Sequence, residues 1–157
     1  MILTLIQGLI FIIYVAFIWK KFGVLQSVSD SWYKLKELGG LWYKLFTLFC
    51  WGLAIPMLFQ SDNPSSLFVY SGAGFAFVGA ATMFKLKDTF VPYIHFGGAA
   101  VGIILALLGI GLERYGWLPL IVFGIATILI KLLKVKNSTW WIEIVAFVTA
   151  LTGLLIY

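Results

Sequence analysis

The chain consists of long, unbroken apolar runs separated by short polar connections. Six runs stand out, near Ile2–Trp19, Leu41–Phe59, Leu67–Phe84, Pro92–Leu112, Trp117–Leu133 and Trp140–Ile156, each 17 to 21 residues long. A helix of about 20 residues crosses a hydrocarbon layer of about 30 Å. Only helices or closed barrels satisfy their backbone polar groups there. Barrel strands alternate apolar and polar residues, whereas these runs are continuously apolar. The pattern predicts an all-α fold: a polytopic transmembrane helical bundle of six spans, forming a single integral membrane domain over 1–157. The connections carry turn and cap chemistry. Asp62-Asn63-Pro64-Ser65-Ser66 reads as a turn with a Ser cap. Pro92 suits a first helical turn, Asn137-Ser138-Thr139 offers caps for the last helix, and Pro56 should bend the second.

The longest connection, 20–40, has structure of its own. Ser27 and Asp30 stand three residues apart, as in a capping box. Val28, Trp32, Leu35 and Leu38 follow at helical spacing, Asp30, Lys34 and Glu37 take the other face, and Gly39-Gly40 ends the run. This predicts a short cytoplasmic amphipathic interfacial helix near 28–38, with Trp32 and Tyr33 at headgroup depth. It is either a connector on the surface or a docking surface for a partner or for anionic lipid.

Composition strengthens the membrane reading. Residues are 62% hydrophobic and only 11% charged, with a mean hydropathy of +1.06, against about 25% charged in soluble domains. The net charge of +5 follows from topology. Lys20, Lys21, Lys34, Lys36, Lys44, Lys85, Lys87, Lys131, Lys134 and Lys136 all fall on one side of a six-span arrangement. The other side holds Arg114 beside Glu113, and Asp62. Basic residues in short loops stay cytoplasmic. The expectation is a multi-pass protein of the cell (inner) membrane with both termini extracytoplasmic. Its first helix should stay uncleaved, because Lys20-Lys21 follows rather than precedes the apolar stretch. Nucleic acid is not an expected partner, since the lysines are spread over three connections. Cys50, inside an apolar run, reads as a small buried residue.

Lipid provides no hydrophobic drive between helices, so small residues at regular spacing mark where they pack. Gly72, Ala76 and Ala80 form one stripe; Gly98, Gly102 and Ala106 form another; Ala146, Ala150 and Gly153 form a third. The first two predict a tight antiparallel pair of neighbouring spans, or contacts between copies. His95 precedes Gly98 and Gly102 by three and seven positions, and Glu143 precedes Ala146 and Ala150 by the same steps. Both therefore lie on packing faces near the cytoplasmic end. Ionisable groups inside membrane helices are costly and are paired or functional. His95, Glu143, Asp88, Tyr93, Ser29 and Asp30 form the candidate ligand-binding cluster. The plainer alternative keeps Glu143 as a first-turn acid paired with a lysine and His95 as a neutral residue closing a helix end.

No acid or base lies mid-span, which argues against transport by one chain alone. One histidine and one cysteine do not make a usual zinc set, and no phosphate loop or serine elbow is present. No catalytic residue, metal or cofactor is expected. The leading function is a non-catalytic membrane binding or interaction protein with a cytoplasmic-side polar pocket for a lipid headgroup or a partner's segment. Two alternatives are a homo-oligomeric channel for small solutes and a lipid-directed hydrolase built on Ser29, His95 and Asp30. Membrane lipids, a membrane-protein partner or further copies of the chain are the expected partners.

One resemblance joins these features. A first helix followed by Ser27-Val28-Ser29-Asp30, then two spans, then an Asp88-to-His95 stretch opening the fourth before Gly97-Gly98-Ala99, resembles the DRAM/Sfk-type six-helix membrane proteins and related bacterial domains of unknown function. The resemblance implies a six-helix bundle with a polar cluster at one face, and supplies no reaction. A more distant likeness to membrane hydrolases of the alkaline-ceramidase kind would require several metal-binding histidines, and this chain has one.

Overall fold

The computed structural model describes residues 1–60, 66–81 and 91–157. The expected turn over 62–65, the end of the third run, Lys85, Lys87 and Asp88 lie outside the described residues. Among those described, all regular structure is helical: α1 (Ile2–Phe22), α2 (Ser31–Glu37), α3 (Lys44–Leu58), α4 (Leu67–Ala81), α5 (Val91–Arg114), α6 (Leu118–Leu132) and α7 (Ser138–Ile156). Three stretches are long and apolar enough to cross a membrane: Ile2–Phe22, Tyr93–Arg114 and Ser138–Ile156. The other long helices are apolar but shorter. The second run does not become helical until Lys44, three residues late. Gly39 and Gly40 both adopt left-handed backbone, with φ of 76° and 59°, and the chain turns through Leu41–Tyr43 before α3 starts.

Helix order in space follows from the contacts. α1, α3, α4, α5 and α7 close a ring, α1 touching α7, and α6 packs outside it against α7 and α5. Consecutive long helices run antiparallel. Gln7 near the start of α1 bonds Leu53 O near the end of α3, Ser66 before α4 bonds Glu113 at the end of α5, and Lys131 at the end of α6 bonds Ser138 at the start of α7. The interior is aromatic. Tyr14 stacks on Phe49 at 4.0 Å, and Phe147 sits 5.1 Å from Phe11 and 5.5 Å from Phe75. Among the described residues, these side chains occupy the centre of the ring.

The small-residue stripes divide their work differently from expectation. α4 does pair tightly with α5, but its glycine at that seam is Gly74. A Cβ there would lie 3.0 Å from Gly98 O and 3.1 Å from Gly102 N, and Ser71 Oγ donates to Gly102 O at 2.6 Å. Gly72 and Ala76 face α3 instead: a Cβ on Gly72 would lie 3.0 Å from Ala54 O, and Trp51 Nε1 donates to Ala76 O. Ala80 is only half-buried. α4 lies between two helices, so both faces need small residues, and a single stripe cannot say which neighbour it serves. Ala106, Ala146 and Ala150 are buried in the core, and Gly153 meets Ile110 and Pro119, joining α7 to α5 and α6.

At the far end from α2, Glu113 closes the α4–α5 hairpin by accepting from Ser66 Oγ and Leu67 N, both at 2.7 Å. It thereby satisfies an otherwise orphan amide at the start of α4. Gly74→Val should wedge the α4–α5 seam apart. Overpacking of this kind is worth about 1–3 kcal/mol. Gly97→Ala, whose Cβ would meet nothing within 4 Å, should be near neutral. Unfolding titrations in mixed micelles would rank the two variants, and equal stabilities would contradict the close approach.

Candidate functional site

The connection between α1 and α2 is held against the start of α7 by three hydrogen bonds. Asn137 Nδ2 donates to Val24 O at 2.9 Å. Trp140 N donates to Gln26 O at 2.9 Å. Val28 N donates to Glu143 Oε2. Every second residue of the connection meets every third residue of α7. An extended segment is thus laid along the first two helical turns. Trp140 N is one of the helix-start amides that has no partner within its own helix. Asn137, expected to cap α7, makes no side-chain cap bond. Its amide serves Val24 instead, and its own backbone is left-handed, with φ 56°.

The turn that follows carries the expected reciprocal pair. Asp30 N donates to Ser27 Oγ at 3.1 Å and Ser27 N to Asp30 Oδ2 at 3.0 Å. Residues 27–30 take tight i→i+3 bonds before α2 begins at Ser31, so the helix is shorter than the predicted 28–38. Val28, Trp32 and Leu35 face inward, at 3%, 7% and 0% exposure, while Leu38 is exposed. Lys34 and Glu37 pair on the outer face at 2.9 Å. Ser31 is fully buried, donates to Val28 O, and shares a 2.5 Å hydrogen bond with Tyr14 Oη. α2 is therefore docked onto the bundle, not laid loosely beside it.

Under this turn lies a cavity of about 310 Å³ lined by Ser29, Asp30, Tyr33, His95, Phe96 and Glu143, together with Gln26, Ser27 and Thr139. Four of the six predicted residues meet there: His95 and Glu143 from two helices, Ser29 and Asp30 from the turn. Tyr93 is 79% exposed and does not line the cavity; it lies two residues from His95, on a different side of the helix. Asp88 lies outside the described residues. Among the described residues Glu143 pairs with no lysine, the partner its plainer reading called for: it accepts from the Val28 amide, and the ion pair there is Lys34–Glu37. His95 is only 3% exposed, packed parallel to Phe46 at 5.6 Å with Trp32 edge-on at 6.1 Å, and its Nε2 has no hydrogen-bond partner among the described residues. Buried polar atoms are rarely left this way. No hydrogen bond joins Ser29 or Asp30 to His95 among the described residues. The set is not a linked nucleophile, base and acid.

A smaller apolar void of about 20 Å³ lies deeper, between Phe49, Phe75, Ile103 and Phe147, and shares Ser29 and Glu143 with the upper cavity. These two side chains stand at a boundary between a polar mouth and an apolar interior. Gln26, Ser27, Tyr33, Phe96 and Thr139 were not in the predicted set. Thr139 precedes Glu143 by four residues, so one helical face carries both, and that signal was present in the sequence. Gln26 was not recognisable, because only the docking of the connection brings it in. No family model matches the chain, and no curated protein or solved structure matches it.

Removing the Glu143 carboxylate should release the 24–28 segment. Glu143→Ala leaves the Val28 amide unpaired and should destabilise the docked state by about 1.5–3 kcal/mol. Glu143→Gln keeps an acceptor and should lose less. Hydrogen–deuterium exchange at the Val28 amide reads this directly, and unchanged protection in the alanine variant would show that the segment is held elsewhere.

Proposed function

We propose that this chain is a six-span membrane protein that binds the polar headgroup of a membrane amphiphile in the cavity beneath the α1–α2 connection. The observation that carries the reading is the cavity itself: polar side chains at its mouth, apolar ones below, and the buried His95 in its wall. A headgroup in the upper space would meet the side chains of Ser29, Asp30, His95 and Glu143. The ligand's apolar portion finds matching surface toward the void and the surrounding helices.

Six spans are supported by the strict antiparallel succession of the long helices and by their outer faces. Along α6, Leu118, Ile121, Ile125, Ile128 and Leu132 are all more than half exposed, and so continuous an apolar strip is untenable in water. α3 and α6 have 15 residues each, about 22 Å of helix. Exposed Leu41, Trp42 and Phe59 extend the apolar length of α3 at both ends, and a bilayer thins locally to meet a short span. Lys20, Lys21, Lys34, Lys36, Lys44, Lys131, Lys134 and Lys136 lie at or beside the cavity end. That end is cytoplasmic by the distribution of basic residues, which puts the start of α1 and the end of α7 on the opposite side.

A filled ring centre weighs against a pore through one chain, and the unlinked Ser29, Asp30 and His95 weigh against a hydrolase. Two experiments test the proposal. In a Cys50→Ala background, Tyr115→Cys should react with an impermeant maleimide on intact cells and Lys134→Cys only after lysis; the reverse pattern would overturn the orientation. Ser29→Phe should fill the cavity and lower the lipid retained by the purified protein in native mass spectrometry by about tenfold, a loss of about 1.4 kcal/mol. Undiminished retention by a folded variant would sink the headgroup reading.

A further inference from the structure

We propose that the groove between α1 and α3 binds an anionic phospholipid, with an acyl chain along the groove and the phosphate at Lys44, beside Lys20 and Lys21. The inference rests on the membrane reading above and not on the cavity, which lies elsewhere. The two helices touch toward one end and part toward the other. Gly52 of α3 admits Ile10 of α1: a Cβ there would lie 2.9 Å from Ile10 Cδ1. Toward the end of α1, a hollow of about 460 Å³ separates them. Its floor is the stacked pair Tyr14 and Phe49, both buried. Its walls include Ile13 and Leu48, both exposed, so the hollow opens outward. α4 meets a different side of α3, through Thr47, Cys50 and Ala54.

The groove runs out onto positive charge. A second hollow, of about 360 Å³, shares Trp42, Leu45 and Leu48 with the first and is lined by Lys44. On α1, Ile10, Ile13 and Phe17 form the stripe that lines the groove. The same spacing continues to Lys20 and Lys21, both exposed, three and four residues beyond Phe17. α1 and α3 are antiparallel, so these lysines stand at the same end as Lys44. None of the three forms an ion pair among the described residues. Lys44 is the first residue of α3, where the positive end of the helix dipole adds to its charge.

The order of these features matches the order of parts in a phospholipid. Trp42 stacks on Phe17 across the groove at 5.9 Å. It stands between the apolar hollow and the lysines, the depth at which tryptophans meet the membrane interface. An acyl chain, a glycerol backbone and a phosphate would meet the hollow, the indole and the lysines in turn. A zwitterionic lipid brings a cation of its own among the lysines, whereas an anionic one does not, and lysines at a membrane surface attract anionic lipid. A second copy of the chain fits less well. Seated in the groove about a two-fold axis along the membrane normal, it would bring its own three lysines toward these.

The test uses the full chain in nanodiscs of phosphatidylglycerol and phosphatidylcholine, equal in amount and acyl chains, read by native mass spectrometry. Phosphatidylglycerol should be retained over phosphatidylcholine by about tenfold or more, as expected where several lysines face one anionic group. Lys44→Gln should lower its retention about fivefold, the effect of one lysine near an anionic surface. Leu48→Trp fills the groove from an exposed position and should remove the bound lipid. Lys134→Gln combined with Lys136→Gln takes more charge from the same end and should change nothing. Protection of the Val28 amide confirms that each variant is folded. An equal loss in the Lys134 and Lys136 variant would reduce the effect to diffuse attraction and overturn the site. Phosphatidylcholine held as well as phosphatidylglycerol would overturn it too. So would a dimer mass that Leu48→Trp abolishes, which would give the groove to a second copy. The cavity is read separately, because Ser29→Phe should leave this lipid in place. If Ser29→Phe removes lipid and Leu48→Trp does not, the groove inference fails while the headgroup reading stands; if neither removes lipid, both fail.

Discussion

The arrangement at the cavity depends on one constraint: backbone polar groups removed from water must be paired. Between α1 and α2 the chain passes close over the bundle without regular structure of its own. Its carbonyls at Val24 and Gln26 and its amide at Val28 find partners on α7. Once that strip is tied down, the turn at Ser27–Asp30 has a fixed position, and Val28 of the turn with Trp32 and Leu35 of α2 can insert against the bundle. The Glu143 carboxylate is thus both an anchor and a wall. Its one engaged oxygen holds the roof of the cavity in place, and the side chain lines the space beneath.

Charge is arranged on two scales. Over the whole molecule, lysines mark one end, a long-range property that orients a chain in a bilayer. Within that end, Asp30 and Glu143 line the cavity, while Lys34 and Glu37 pair on the outer face. Long basic side chains can extend toward water while their stems cover apolar surface. Asp30 and Glu143 are short or tethered by amides and remain where the backbone puts them.

Much of the helical pattern was legible because apolar runs of this length have few other solutions. The start and end of α1, α5 and α7 fall within a few residues of the runs that predict them. The His95 and Glu143 positions were legible through their phase with small residues, which reports an inward-facing direction on any helix. Partner choice was not legible. Gly72 and Gly74 lie two residues apart and face different helices, a distinction that depends on where α3 and α5 stand. The roof of the cavity was also hidden, because Val24 and Gln26 contribute through their carbonyls, which every residue possesses. Side-chain patterns say nothing about which carbonyl a distant amide will reach.

The ring closes between its first and last helices, and the Val28–Glu143 bond joins residues 115 positions apart. A chain made from its N-terminus therefore makes α1 to α6 before α7 can close both the ring and the cavity. During synthesis the α1–α2 connection emerges before α7, whose first turns supply the partners for its carbonyls and amide. The wall that Glu143 gives the cavity is therefore in place only after α7 has been made.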